Sequence, residues 1–150
     1  WPLERFGELA VALRRDRGLP SVVLWGPGER ARAEAVVNAS AGAAQLAPQA
    51  SIPGIAALAK HARLVVSGDT GPLHLAAAVG TPAVALFGPT SAERNGPWSP
   101  RDVSVSRLSE CDCVYQRRCR RAVPCINGIA AAEVVAAATL RLDRAREDGR

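Results

Sequence analysis

RLVVSGDTGPLHLAAAVGTPAVALF, residues 63–87, holds a complete strand, loop, helix, turn and second strand. Arg63 to Ser67 (RLVVS) is a short apolar run rich in β-branched residues, which reads as a buried strand. Gly68 to Pro72 is a loop, Leu73 to Val79 a helix, Gly80-Thr81-Pro82 a turn, and Ala83 to Phe87 (AVALF) another buried strand. Two strands that are apolar throughout, with a helix between them, predict parallel neighbours covered on both faces.

The same rhythm extends outward. Leu3, Phe6, Leu9, Ala10 and Leu13 fall at helical spacing and Gly18 supplies a stop, so residues 3–17 are expected to be a helix. Ser21 to Trp25 (SVVLW) reads as a strand closed by Gly26-Pro27-Gly28, and residues 29–40 as a helix. A weak strand near Ala44 to Ala47 and a helix from Pro53 to His61 lead into the central stretch. A last strand is expected at Asp102 to Ser106, and a long closing helix from Ala130 to Arg146. The whole predicts an α/β, Rossmann-like domain with a parallel sheet and helices on both faces. Ligands of such sheets lie beyond the carboxyl ends of the strands, which selects three loops: Gly26 to Glu29, Gly68 to Pro72, and Gly88 to Pro97.

The 150 residues, 48% hydrophobic and 22% charged, fit one globular domain and exclude a disordered tail or a collagen-like repeat. Alanine supplies 29 of them and aromatics only 4%, so the core must be built from Val, Leu, Ile and close helix-on-sheet packing. No apolar run reaches the roughly 20 residues of a bilayer span and no signal-peptide pattern opens the chain, so a soluble, cytoplasmic protein is expected. The net charge of +5 comes from scattered Arg residues rather than a basic stripe with interleaved aromatics, which argues against a nucleic-acid partner. Methionine is absent even at position 1, so the chain is expected to be a fragment or processed piece.

The loop after Ser67 concentrates chemistry. Gly71 can let the backbone approach a ligand or adopt positive φ, Pro72 suits a first helical position, and Asp69 or Thr70 can cap the helix. Free N–H groups in that first turn, reinforced by the helix dipole, make an anion site to which His74 could add a proton donor. A phosphate or diphosphate is the guest this favours, although capping alone accounts for Asp69 and Thr70 equally well, and His74 also fits a satisfied helix-terminal histidine. Neither a GxGxxG fingerprint nor a Walker lysine loop occurs.

VVSGDTGPLHLAAAVGTPAVALFGPT, Val65 to Thr90, closely resembles the signature of the bacterial lipopolysaccharide heptosyltransferases and their relatives in glycosyltransferase family 9. The openings WPLERFGEL (residues 1–9) and WGPGE (residues 25–29) are similar to the same family. The resemblance implies the C-terminal half of a GT-B enzyme, a nucleotide-sugar binding domain over 1–150, with the N-terminal acceptor domain absent from this chain. It implies an inverting transfer of heptose from ADP-heptose to the lipopolysaccharide inner core, without a cofactor or required metal. By that similarity Asp69, Thr70, Gly71 and Pro72 would hold the diphosphate with His74 nearby. Glu29, with Gly26 in the same loop, would meet the ribose hydroxyls, and Ala50 and Ile52 would line the adenine pocket, where loop packing is the alternative. The general base is expected on the absent domain, so the fragment should bind donor at best weakly and not turn over. Two other readings stay open: a stand-alone nucleotide-binding module, and a GT-B epimerase or transferase using a UDP-sugar.

Cys111, Cys113, Cys119 and Cys125 follow C-x-C-x5-C-x5-C spacing, an imperfect fit to a structural zinc site. Reduced thiols or one local disulfide is the favoured reading, with a zinc or iron–sulfur site at the four cysteines as the alternative. Arg117, Arg118, Arg120 and Arg121 could attract an anionic acceptor or lipid headgroups, leaving peripheral association with the inner face of the membrane open, although a solvated surface is the ordinary reading. The closing helix is expected to pack through Val134, Val135, Ala138 and Leu142, with Arg141, Arg144 and Arg146 suiting its C-terminus.

Overall fold

The computed structural model describes residues 1–116 and 118–147. They divide into two units, Trp1–Gly54 and Ile55 onward.

The first unit runs α1 (Leu3–Arg17), β1 (Ser21–Val23), α2 (Arg30–Ala39) and β2 (Ala44–Leu46). Helix α1 ends as its sequence dictates: Gly18 takes a left-handed φ of 66° and its N–H closes on the Arg14 carbonyl at 3.1 Å. Gly7 faces α2 so closely that a Cβ there would stand 2.7 Å from the Ala39 backbone. Strands β1 and β2 pair in parallel, Ser21 opposite Ala44 and Val23 opposite Leu46. The ladder stops at Val23, short of the expected Trp25, because Trp25 contributes through its side chain: its indole N–H donates to the Ala47 carbonyl at 2.8 Å.

Helix α3 (Ile52–His61) crosses the boundary between the units. The second unit continues with β3 (Val65–Gly68), α4 (Gly71–Ala78), β4 (Ala83–Phe87), the single-turn helix α5 (Ala92–Asn95), β5 (Val103–Ser106) and α6 (Ala131–Glu147). Its three strands are parallel in the order β3-β4-β5, with Val65 opposite Ala83 and Val84 opposite Val103. All five residues of the central strand are buried, which is why AVALF carries no polar position. Because side chains alternate across a strand, Ala83, Ala85 and Phe87 share one face, where they pack with Leu73 of α4. Val84 and Leu86 take the other face, and α6 packs against β4 and β5.

The chain is therefore α/β with parallel strands throughout, hydrogen-bonded as one two-stranded and one three-stranded sheet rather than the single sheet expected. Helix α4 starts two residues early, at Gly71, so Pro72 occupies its second position. Helix α5 and the short 3-10 turns Leu108–Glu110 and Cys125–Gly128 were not expected. The expectation for Arg141 is corrected: it is only 5% exposed, and its Nε donates to Asp102 Oδ1 at 2.6 Å, so it serves the packing of α6 rather than its C-terminal dipole. No helix among the described residues is long and apolar enough to cross a membrane.

Candidate functional site

Strand β3 ends at Gly68, and two residues carry the chain into α4 at the carboxyl edge of its sheet. Thr70 occupies the N-cap position with extended backbone (φ −144°, ψ 167°), yet its side chain does not cap. Its hydroxyl stands 3.0 Å from Ser67 Oγ and donates to the Gly68 carbonyl at 3.3 Å, which fixes the turn from the strand side. The Thr70 carbonyl accepts from the N–H groups of Leu73 at 3.1 Å and His74 at 3.4 Å. Since Pro72 has no N–H, these bonds account for the inner donors of the first turn, and the Gly71 N–H is left without an acceptor among the described residues. A Cβ on Gly71 would meet nothing within 4 Å, and its φ lies outside the left-handed region. The positive-φ rationale for this glycine is thus corrected. What it supplies is open space over an amide at the positive end of a helix.

Asp69 does not cap α4 either. Its Oδ2 accepts from the Asn95 side-chain amide at 2.8 Å, and its Oδ1 lies 3.2 Å from His74 Nε2. Burial of this carboxylate, 17% exposed, pushes its pKa up, but the bonds from Asn95, Thr90 and His74 outweigh burial and hold it below the usual aspartate value. The structure thus brings Asp69, Thr70, Gly71, Pro72 and His74 into one turn and adds two residues, Thr90 and Asn95, that the sequence did not single out for a role. Asn95 ends α5, whose start is capped by Ser91 accepting from the Arg94 N–H at 3.3 Å.

The other expected residues lie in the first unit. Glu29 is the residue before α2, exposed, and its Oε2 accepts from the Gly26 N–H at 2.9 Å, while the Glu29 N–H donates to the Gly26 carbonyl at 3.0 Å. Gly26 and Glu29 therefore form one closed turn, beyond a strand that ends at Val23. Ala50 lies in the loop before α3, and Ile52, at the start of that helix, is 69% exposed, which does not fit packing in a core.

The four cysteines are free thiols. Cys113 and Cys119 have sulfurs 3.9 Å apart, and among the described residues no three side chains of Cys, His, Asp or Glu form a ready set of metal ligands. Arg117 lies outside the described residues. Arg118 and Arg120 are exposed, and the Arg121 guanidinium donates to the Glu110 carbonyl.

Comparison with known proteins gives this geometry a context. The model of glycosyltransferase family 9 (heptosyltransferase) matches residues 1–123. Lipopolysaccharide heptosyltransferase 1 of Escherichia coli K12 is 37% identical over 91 residues, covering 60% of this chain and 28% of that protein. The Pseudomonas aeruginosa lipopolysaccharide heptosyltransferase 1 is 34% identical over 120 residues, 79% of this chain and 33% of that one. This chain thus spans about a third of the length of these curated relatives. The structure of E. coli heptosyltransferase WaaC with ADP-2-deoxy-2-fluoro heptose superposes with a TM-score of 0.65 at 29% identity, over 89% of this chain and 36% of that one. With a family model matched across its first 123 residues, the chain belongs to glycosyltransferase family 9, the heptosyltransferases.

Proposed function

We propose that this chain is the donor half of an inverting heptosyltransferase, and that the turn between β3 and α4 receives the diphosphate of ADP-heptose. In the reaction an acceptor hydroxyl of the lipopolysaccharide inner core attacks the anomeric carbon, the bond from that carbon to the diphosphate oxygen breaks, and ADP leaves with the charge. The base for the acceptor is assigned to no residue of this chain. The observation that carries the reading is the Gly71 N–H, unpaired among the described residues and open to solvent at the start of α4. An amide so placed stabilises negative charge that grows on the leaving group, a preorganised donor needing no metal.

Asp69 is a positioning residue in this scheme. The ionised carboxylate gives a diphosphate no attraction of its own; its part is to accept from Asn95 and Thr90, which ties the turn to the loop beyond β4, while His74 braces it from α4. His74 remains half exposed beside it. For the first unit, the same reading gives Glu29 the ribose hydroxyls and the exposed Ile52, with Ala50, an adenine face, each tested by its own substitution. The enzyme would work in the cytoplasm beside the inner membrane. Support comes from the kinship with heptosyltransferases, one of them solved with an ADP-heptose analogue. Calorimetric titration with ADP and with UDP tests the donor: ADP should bind more tightly, and Asp69→Ala should weaken it. Equal affinity for the two nucleotides, or an unaffected Asp69→Ala variant, would sink the reading.

A further inference from the structure

The segment from Leu108 to Gly128 is more than a connection between β5 and α6. Tyr115, at its centre, adopts a φ of 55°, a region that a bulky aromatic residue occupies only when its surroundings hold it there. Three contacts do so. The Tyr115 N–H donates to the Pro89 carbonyl at 3.0 Å, its hydroxyl accepts from the Ser91 N–H at 3.3 Å, and the Arg94 guanidinium lies over its ring at 5.7 Å. Every partner belongs to the stretch that ends in Asn95, and Asn95 holds Asp69. Tyr115 is flanked in sequence by Cys113 and Cys119, whose sulfurs are 3.9 Å apart, so the strap that grips this loop is nearly a closed ring.

We propose that Cys113 and Cys119 are a dithiol pair that closes to a disulfide by exchange with a small disulfide such as glutathione disulfide, and that the closed ring fixes Tyr115 against the loop bracing Asp69. The two sulfurs have different exposures suited to the two steps. Cys119 is exposed and can meet the reagent, whereas Cys113 is 1% exposed and can only resolve what Cys119 has captured. In the first step the Cys119 thiolate attacks one sulfur of glutathione disulfide and releases one glutathione thiolate. In the second, the Cys113 thiolate attacks the Cys119 sulfur of the mixed disulfide and releases the other. Two protons pass from the protein thiols to the two glutathiones; the protein is oxidised by two electrons and glutathione disulfide is reduced by two. The Arg120 N–H donates to Cys113 Sγ at 3.2 Å and holds in place the sulfur that attacks in the second step. The remaining pair is poorly suited: burial pushes the Cys125 thiol pKa up, and the neighbouring Cys111 raises it further.

The link from the strap to ADP rests on the proposed donor site, whereas the disulfide itself does not. The protein is equilibrated with reduced and oxidised glutathione at a series of ratios, its free thiols are blocked, and its peptides are mapped by mass. A Cys113–Cys119 link is expected, lost in Cys119→Ser and kept in Cys111→Ser. ADP affinity of the oxidised protein should be about two- to ten-fold tighter than that of the reduced protein, as when one or two side chains no longer need ordering on binding. In Tyr115→Ala the link should still form while the affinity difference disappears. A Cys111–Cys125 link, a glutathione adduct that never resolves, or a bound zinc ion shielding all four thiols would overturn the pairing. A disulfide that forms without changing ADP affinity would overturn the coupling. ADP bound by neither redox form would overturn the donor-site reading and the coupling together, leaving the mapped disulfide as it stands.

Discussion

The bond from Asn95 to Asp69 is where the organisation of the site can be measured as a free energy. The Asn95 amide donates to Asp69 Oδ2 at 2.8 Å, and the carboxylate is largely buried at 17% exposure. A hydrogen bond to a charged group contributes about 1.5–3 kcal/mol, and removing its partner leaves the charge under-solvated. Asn95→Ala is therefore expected to destabilise the protein by about 1.5–2 kcal/mol, the lower part of that range because some solvent reaches the pair. For a chain of this size that corresponds to a fall in Tm of about 3–8 °C. The loss should depend on pH in a definite direction. The folded-state pKa of Asp69 lies below its ordinary value, so the stability contributed by its donors is fully present above the unfolded value of about 3.9 and is lost as pH falls through the folded value. Thermal unfolding of the two proteins followed by circular dichroism should show the full gap at pH 7 and a shrinking one toward pH 3. Equal midpoints at pH 7 would refute the bond's importance, and a gap unchanged at pH 3 would refute its dependence on charge.

Two further substitutions examine the scaffold. Gly7→Ala places a Cβ 2.7 Å from the Ala39 backbone; overpacking of about 1–3 kcal/mol should exceed the gain of up to about 1 kcal/mol in helix propensity, and a variant as stable as the parent in urea would show that α1 and α2 do not approach so closely. Asp102→Ala strands the buried Arg141 and should cost about 3–5 kcal/mol in the same assay, whereas Asp102→Leu with Arg141→Met should recover most of it; a double variant no better than the single one would argue against an uncompensated charge as the cause.

The sequence was most readable where one physical requirement acted alone. AVALF is a central parallel strand buried on both faces, and its lack of any polar position set both its boundaries. Helix α1 was bounded by a glycine whose left-handed φ few other residues accept. Strand β1 was read two residues too long because apolarity reports burial rather than backbone pairing, and Trp25 is held through its indole. At the candidate site, the β3–α4 turn was legible because loop, glycine and proline are local signals. Asn95 was not: it bonds a residue 26 positions away from the end of a four-residue helix, too short to show periodicity, and Asn-Gly alone reads as a turn.

Arg141 shows that some of what was missed was nonetheless written in the chain. Val134, Ala138, Leu142 and Ala145 recur at helical spacing and are all buried, and Arg141 falls on that stripe, seven residues after Val134. Proximity to the end of α6 suggested an exposed cation serving the helix dipole, but position on the stripe outweighs position along the axis: a side chain on the buried face must be desolvated wherever the helix ends. A guanidinium in that setting requires a carboxylate within hydrogen-bond reach. Asp102, just before β5, meets the requirement by accepting from Arg141 Nε at 2.6 Å, and the same Oδ1 also accepts from the Ala83 N–H at the start of β4 at 2.9 Å. One buried carboxylate thereby joins the closing helix to the entrance of the central strand, whose opposite end leads into the loop that carries Thr90 and Asn95 to Asp69.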